Sequence, residues 1–188
     1  AFHQWAFARQ DRPDCVVNIG GIANITVLQP GTPLTGFDTG PGNTLLDAWC
    51  NQHQNKRFDK GGRWAGSGNC IANLLEALLA DPYFAKPAPK STGREYFNLV
   101  WLGNSLAEYK AADPADVQAT LAELTAHTIA TAIKQQADAG SIWLCGGGAL
   151  NADLFERIQR HLPAFEVSTT AALGIPPAWV EAAAFAWL

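Results

Sequence analysis

Two β-rich apolar runs, Cys15-Val16-Val17-Asn18-Ile19 and Ile22-Ala23-Asn24-Ile25-Thr26-Val27-Leu28, are joined only by Gly20-Gly21. So short a glycine link turns the chain back on itself and predicts an antiparallel hairpin. A third strand is expected near residues 34–37, after the turn residues Pro30-Gly31-Thr32-Pro33, which makes the first forty residues an antiparallel meander.

Beyond Asp38-Thr39-Gly40-Pro41-Gly42-Asn43 the apolar period becomes helical. Asn43 is a candidate N-cap for a helix bearing Leu45, Leu46, Ala48 and Trp49, ended by the polar stretch 51–60. Ile71, Leu74, Leu75, Leu78 and Leu79 predict a second helix over about 69–79, stopped by Asp81-Pro82. Residues 85–94, with Pro87, Pro89 and Gly93, read as a loop. Asp113 and Pro114 open a helix whose apolar positions, Val117 to Ile133, carry it toward Gly140. A buried-type strand at 141–145, the turn Gly146-Gly147-Gly148, a helix over about 151–162, a strand at 165–168 and a helix led by Pro176-Pro177 complete the pattern, with no internal repeat. A meander followed by a strand–turn–helix unit predicts an α/β fold.

The 188 residues suit one domain with a real core, and 48% hydrophobic against 16% charged residues predicts a folded chain. A net charge of -4 with 13 scattered Lys and Arg argues against a nucleic-acid partner and for a small-molecule or protein one. Four cysteines without a CxxC pair fit reduced thiols, and neither they nor the four histidines have metal-ligand spacing. With no apolar run near 20 residues and no leader-like start, the expectation is a cytoplasmic protein without a membrane segment. The seven tryptophans are expected to pack in the interior. The chain opens at Ala1 without Met and stops inside an apolar helical pattern at Trp187-Leu188, so a fragment of a longer protein is expected.

Gly20-Gly21 and Gly146-Gly147-Gly148 bring backbone amides without Cβ crowding to strand–turn positions, as phosphate cradles require, although a glycine pair in a hairpin is also simply a turn. Asp38 is expected to emerge from a strand end onto a stiff turn. There it fits a general base or an Asx-type turn bonding Gly40 N–H. The loop Lys90-Ser91-Thr92-Gly93-Arg94-Glu95 places two cations and two hydroxyls together, as an oxyanion clamp or as an ordinary solvated loop. Glu181, among Ala and Val, is a surface acid or a buried functional one.

Four blocks carry a resemblance: Val17-Asn18-Ile19-Gly20-Gly21-Ile22-Ala23-Asn24-Ile25-Thr26; Gly36-Phe37-Asp38-Thr39-Gly40-Pro41-Gly42-Asn43 with Asp47-Ala48-Trp49; Lys90-Ser91-Thr92-Gly93-Arg94-Glu95 with Phe97-Asn98; and Cys145-Gly146-Gly147-Gly148-Ala149 with Asn151. In these the chain resembles the anhydro-N-acetylmuramic acid kinases of the sugar kinase/Hsp70/actin superfamily. The resemblance implies a ribonuclease H-like, actin-like ATPase lobe with a mixed sheet flanked by helices. Residues 1–188 would form the second lobe of a two-lobed kinase, inactive without a first lobe that supplies a Gly- and Ser-rich phosphate loop.

The implied reaction opens 1,6-anhydro-N-acetylmuramic acid with water and passes the ATP γ-phosphoryl group to O6, a step of peptidoglycan recycling. By the same resemblance Asp38 is catalytic and activates the water, while Thr39, Gly40, Asn43 and Glu181 contact the sugar. Gly20, Gly21, Asn24, Gly146, Gly147, Gly148 and Asn151 would contact the nucleotide, with Mg2+ bridging its phosphates and no metal held by protein ligands. The oligomeric state stays open, a homodimer included. Two rivals compete: a catalytically silent nucleotide-binding lobe, and an aspartic protease suggested by Asp38-Thr39-Gly40.

Overall fold

The computed structural model describes residues 2–7, 13–29 and 31–187, and within 2–7 the side chains of residues 3–5 fall outside the description. Pro30 of the predicted turn, the terminal residues Ala1 and Leu188, and the side chains of His3 and Trp5 therefore lie outside the described residues.

β1 (Asp14–Ile19), β2 (Ile22–Leu28) and β3 (Thr35–Pro41) form the expected meander. β4 (Gly140–Cys145) and β5 (Phe165–Thr169) join it in the order β3-β2-β1-β4-β5, with β4 parallel to β1 and β5 parallel to β4. Alternation then sorts side chains by face. Cys15, Val17, Ile19, Ala23, Ile25, Val27, Phe37, Ile142 and Leu144 turn toward α6 (Pro114–Lys134) and α7 (Ala152–His161). Val16, Leu28, Trp143 and Cys145 pack with Phe2 and Phe7 of α1 (Phe2–Phe7) and Val180 of α8 (Val180–Trp187). Burying a Val, Leu or Ile side chain in such a layer stabilises by about 1.5–3 kcal/mol.

A third cluster unites α2 (Thr44–Gln54), α3 (Ala72–Leu79), α5 (Leu99–Leu106) and the first half of α6 around Leu45, Leu74, Leu78, Leu102, Leu121 and Leu124. α6 thus belongs to both the sheet layer and the helical cluster, and ties them into one unit. Its start follows expectation: Asp113 Oδ1 accepts from Ala115 N–H at 2.8 Å and Pro114 takes the first helical position.

The structure corrects several expectations. β3 runs to Pro41 instead of stopping at Phe37, α2 runs to Gln54, and α6 ends at Lys134 rather than near Gly140. α1, α4 (Pro82–Ala85) and α5 were not predicted. Trp49 and Trp143 are buried as expected, but Trp179 and Trp187 are exposed. The four cysteines are free thiols. Among the described residues no helix is long and apolar enough to cross a membrane.

Polar chemistry closes the α6–α7 seam. Arg157 donates to Asp153 and to Glu123, each at 2.8 Å, and His161 Nε2 pairs with Glu123 Oε1. Burial alone would raise the Glu123 carboxyl, but the hydrogen bonds and charges of Arg157 and His161 outweigh it and hold the group below its ordinary range. A folded pKa depressed in this way contributes stability above the unfolded value near 4.3, and that stability is lost as pH falls through the folded value. Glu123→Gln is accordingly expected to destabilise by about 2 kcal/mol at pH 7. The gap from wild type should narrow when urea unfolding is repeated near pH 3. A gap independent of pH would show that the carboxylate charge is not what holds the seam.

Candidate active site

The hairpin tip is locked to the turn that follows β3. Gly20 O accepts from Asn43 N–H at 2.8 Å, and Gly21 O accepts from Gly42 and Thr44 N–H at 2.9 and 3.0 Å. Gly42 is needed for this approach, since a Cβ there would stand 2.4 Å from Gly20 O. Asn43 precedes α2 without capping it through its side chain; its Nδ2 reaches back to Ile19 O at 3.0 Å.

The second glycine turn packs against the same place. Gly146 has φ +79 and donates to Pro177 O at 3.0 Å, and a Cβ at Gly148 would meet Ile19 Cγ2 at 2.3 Å. The turn does not open α7 directly. A short 3-10 turn, Gly147–Leu150, intervenes, and Asn151 caps α7 by accepting from Leu154 N–H at 3.0 Å. Gly147 and Asn151 face Asn43, Asp47, Arg57 and Asp59 across a cleft of 360 Å3. Burial pushes the Asp47 carboxyl up to about 6 even though Arg94 and Arg57 pull it down.

Asp38 lies inside β3, not at its end. Its partner in register is Asn24, whose own partner is Asn18, so three polar residues form a row across one face of the sheet. A register shift at Ala23/Asn24 separates this row from Thr39 and Gly40. The half-buried Asp38 is held at three atoms: its N–H donates to Lys90 O at 2.9 Å, its carbonyl accepts from Tyr83 O–H at 2.7 Å, and Oδ2 accepts from Thr92 N–H at 3.0 Å. That last bond is the observed use of the carboxylate, in place of an Asx turn onto Gly40. At the other end of the row Asn18 Nδ2 donates to Glu181 Oε1 at 3.1 Å. Glu181 is therefore an exposed acid with a polar partner rather than a buried one.

Thr39 and Gly40 serve the scaffold around the row. Thr39 is 2% exposed and donates to Ala23 O at 3.2 Å, while Gly40, with φ +152, lies where a Cβ would stand 2.8 Å from Phe84. Lys90 is likewise not an open clamp: Nζ donates to Tyr83 O and Phe84 O, each at 3.1 Å, and sits over the Tyr83 ring. Sequence reasoning assigned no role to Asn18, Thr92 N–H, Tyr83 or Asp47; the matched registers of Asn18, Asn24 and Asp38 were the available signal for the first.

Asp38 thus stands on the same sheet as both glycine turns, at the head of a polar row that ends beside Gly146. A fixed carboxylate on a sheet that also carries two glycine turns suits proton abstraction coupled to transfer of an anionic group. The mixed, helix-covered sheet is not the all-β frame that an aspartic protease needs.

Among solved structures the chain aligns over 95% of its length with the activator of the 2-hydroxyisocaproyl-CoA dehydratase from Clostridium difficile with bound ADPNP, covering 60% of that chain at TM-score 0.56 and 13% identity. Component A of the (R)-2-hydroxyglutaryl-CoA dehydratase from Acidaminococcus fermentans aligns over 90% of this chain and 62% of its own, at TM-score 0.50 and 18% identity. These likenesses show the fold alone, the actin-like ATPase fold. Curated anhydro-N-acetylmuramic acid kinases are closer in sequence. The one from Shewanella amazonensis is 52% identical over 190 residues, and the one from Variovorax paradoxus is 53% identical over 194 residues. Each match takes in 100% of this chain and about half of the relative. A family profile described as anhydro-N-acetylmuramic acid kinase matches residues 1–188, and the chain belongs to that family.

Proposed function

We propose that residues 1–188 are the second lobe of an ATP-dependent kinase acting on 1,6-anhydro-N-acetylmuramic acid, and that the lobe is inactive by itself. The observation that carries this is the position of Asp38, fixed by three hydrogen bonds on the sheet that also bears Gly20-Gly21 and Gly146-Gly147-Gly148. The chain spans about half the length of its curated relatives, so the first lobe would close the crevice and exclude water.

In this scheme Asp38 takes a proton from water as the water oxygen bonds to C1 of the sugar. The bond from C1 to the bridging oxygen breaks, and that oxygen, now O6, bonds to the γ-phosphorus as the β–γ bridge of ATP breaks. The products are N-acetylmuramic acid 6-phosphate, ADP and the proton that Asp38 returns to solvent. Asn43 and Glu181 would border the sugar, with Thr39 and Gly40 holding β3 behind them. The hairpin Gly20-Gly21 and Asn24 would border the phosphates, and Gly146-Gly147-Gly148 with Asn151 the adenosine.

Among the described residues no group of three or more His, Cys, Asp or Glu is placed to hold a metal ion. Mg2+ binds through substrate phosphates and water with one or two carboxylates; of the two carboxylates that face the cleft, Asp59 accepts from Trp64 and Ala65 N–H, which leaves Asp47. When bound with the nucleotide, Mg2+ would neutralise phosphate charge.

The test uses the two-lobed protein with ATP and the anhydro sugar in 18O-labelled water. Mass spectrometry of the fresh product should find the label in the sugar, at C1, and none in the phosphate. Label in the phosphate would mean ATP hydrolysis, and the kinase assignment would fall.

A further inference from the structure

One cation near the site has no role in the scheme so far. Arg94 belongs to the loop that holds Asp38, and the loop is fixed on both sides of it. Thr92 N–H donates to the Asp38 carboxylate, while Gly93 O accepts from Tyr96 and Phe97 N–H at 3.1 and 3.2 Å, with the Phe97 ring fully buried. The Arg94 side chain then lies across the hairpin tip. A Cβ at Gly21 would stand 2.3 Å from Arg94 Nε and 2.7 Å from Cζ, so the guanidinium rests on the bare face of that glycine.

The guanidinium is exposed and makes no hydrogen bond or ion pair among the described residues. Asp47 feels its charge without pairing with it. Lys90 on the same loop is fully engaged with Tyr83 and Phe84, which leaves Arg94 as the loop's cation free to take a ligand. Five donors in a planar fork, anchored over a turn that lacks a side chain, suit an oxyanion approaching Gly21.

We propose that Arg94, lying over Gly21, neutralises the phosphoryl group in flight. The inference rests on the kinase reading above and adds a residue to it. Because the loop ties Arg94 to Asp38 through Thr92, the charge-neutralising group and the base would be set by one rigid segment. The guanidinium forms no covalent bond and moves no proton; it stabilises charge on the equatorial oxygens as they pass between ADP and O6.

The experiment compares wild type, Arg94→Ala and Arg94→Lys in the two-lobed enzyme. Arg94→Ala is expected to lower kcat by about 10^3-fold. KM for ATP and for the sugar should stay within a few-fold, and Arg94→Lys should recover only part of the loss. Added guanidinium chloride at millimolar concentration should restore part of the Arg94→Ala rate and none of the rate of an Asp38→Asn variant. Unchanged kcat in Arg94→Ala overturns the proposal. So does a loss confined to KM for the sugar, which would place the guanidinium on the substrate carboxylate instead. If the wild-type protein turns over no anhydro sugar, the kinase reading has failed, and Arg94 is then judged on ADP with aluminium fluoride. Trapping by wild type and its loss in Arg94→Ala supports the proposal, while equal trapping refutes it.

Discussion

Asp38→Asn in the two-lobed enzyme should lower kcat for the anhydro sugar by about 10^3-fold or more while ATP binding stays within twofold. The substitution suits the question because it keeps the shape of the side chain. The amide oxygen can still accept from Thr92 N–H, and the bonds to Lys90 O and from Tyr83 O–H use backbone atoms that do not change. What disappears is the basic oxygen that takes a proton from water in the proposed scheme. Since the fold and the loop are retained, the melting temperature should move by no more than a few degrees, and the loss should sit in kcat rather than in either KM. Turnover equal to wild type would remove Asp38 from the chemistry and favour the silent nucleotide-binding lobe. Loss of ATP binding together with turnover would instead mean that the residue holds the nucleotide turn together.

The meander was legible because Gly20-Gly21 sits between two runs of β-branched residues, and β4 was legible as a buried-type strand before a glycine turn and a helix, whereas its parallel pairing with β1 is a finding of the structure. The end of β3 was not. Asp38-Thr39-Gly40-Pro41 has low strand propensity, and it is extended only because β2 pairs it on one side while Lys90 O takes the Asp38 N–H on the other. That second partner is 52 residues away in sequence (90 − 38), beyond any local pattern. The same distance hid the polar row. Asn18, Asn24 and Asp38 look unrelated until the registers of β1, β2 and β3 align them. α5 was missed for a different reason: eight residues with Gly103 inside and no charged face give a weak helical signal, and it is held by Asn98, whose Oδ1 accepts from Val100 and Trp101 N–H. Arg94 was visible as part of a basic loop, but only the contact with Gly21 separates its task from that of Lys90.

The second large effect is expected behind the proposed site, at Phe97. Its ring is fully buried and meets Tyr83, Phe84, Tyr96 and Trp101 at centroid distances of 5.4, 5.6, 4.9 and 5.0 Å, mostly edge to face. Two of these neighbours reach the site: Tyr83 donates to Asp38 O, and Phe84 lies against Gly40. Phe97→Ala would empty the centre of this aromatic cluster and cost about 3–5 kcal/mol, a large part of the stability of a domain this size. Phe97→Leu keeps most of the volume and should cost under about 1.5 kcal/mol if the neighbours repack. Urea unfolding measures both. Activity supplies the sharper test, because Tyr83 and the 92–97 segment carry the Asp38 and Arg94 positions on this cluster. Under conditions where Phe97→Leu remains fully folded, its kcat should still fall several-fold with little change in KM, since a base displaced by a fraction of an ångström loses alignment before it loses binding. A folded Phe97→Leu with wild-type kcat would show that the loop keeps its place without the cluster, and that Asp38 is positioned by β3 alone.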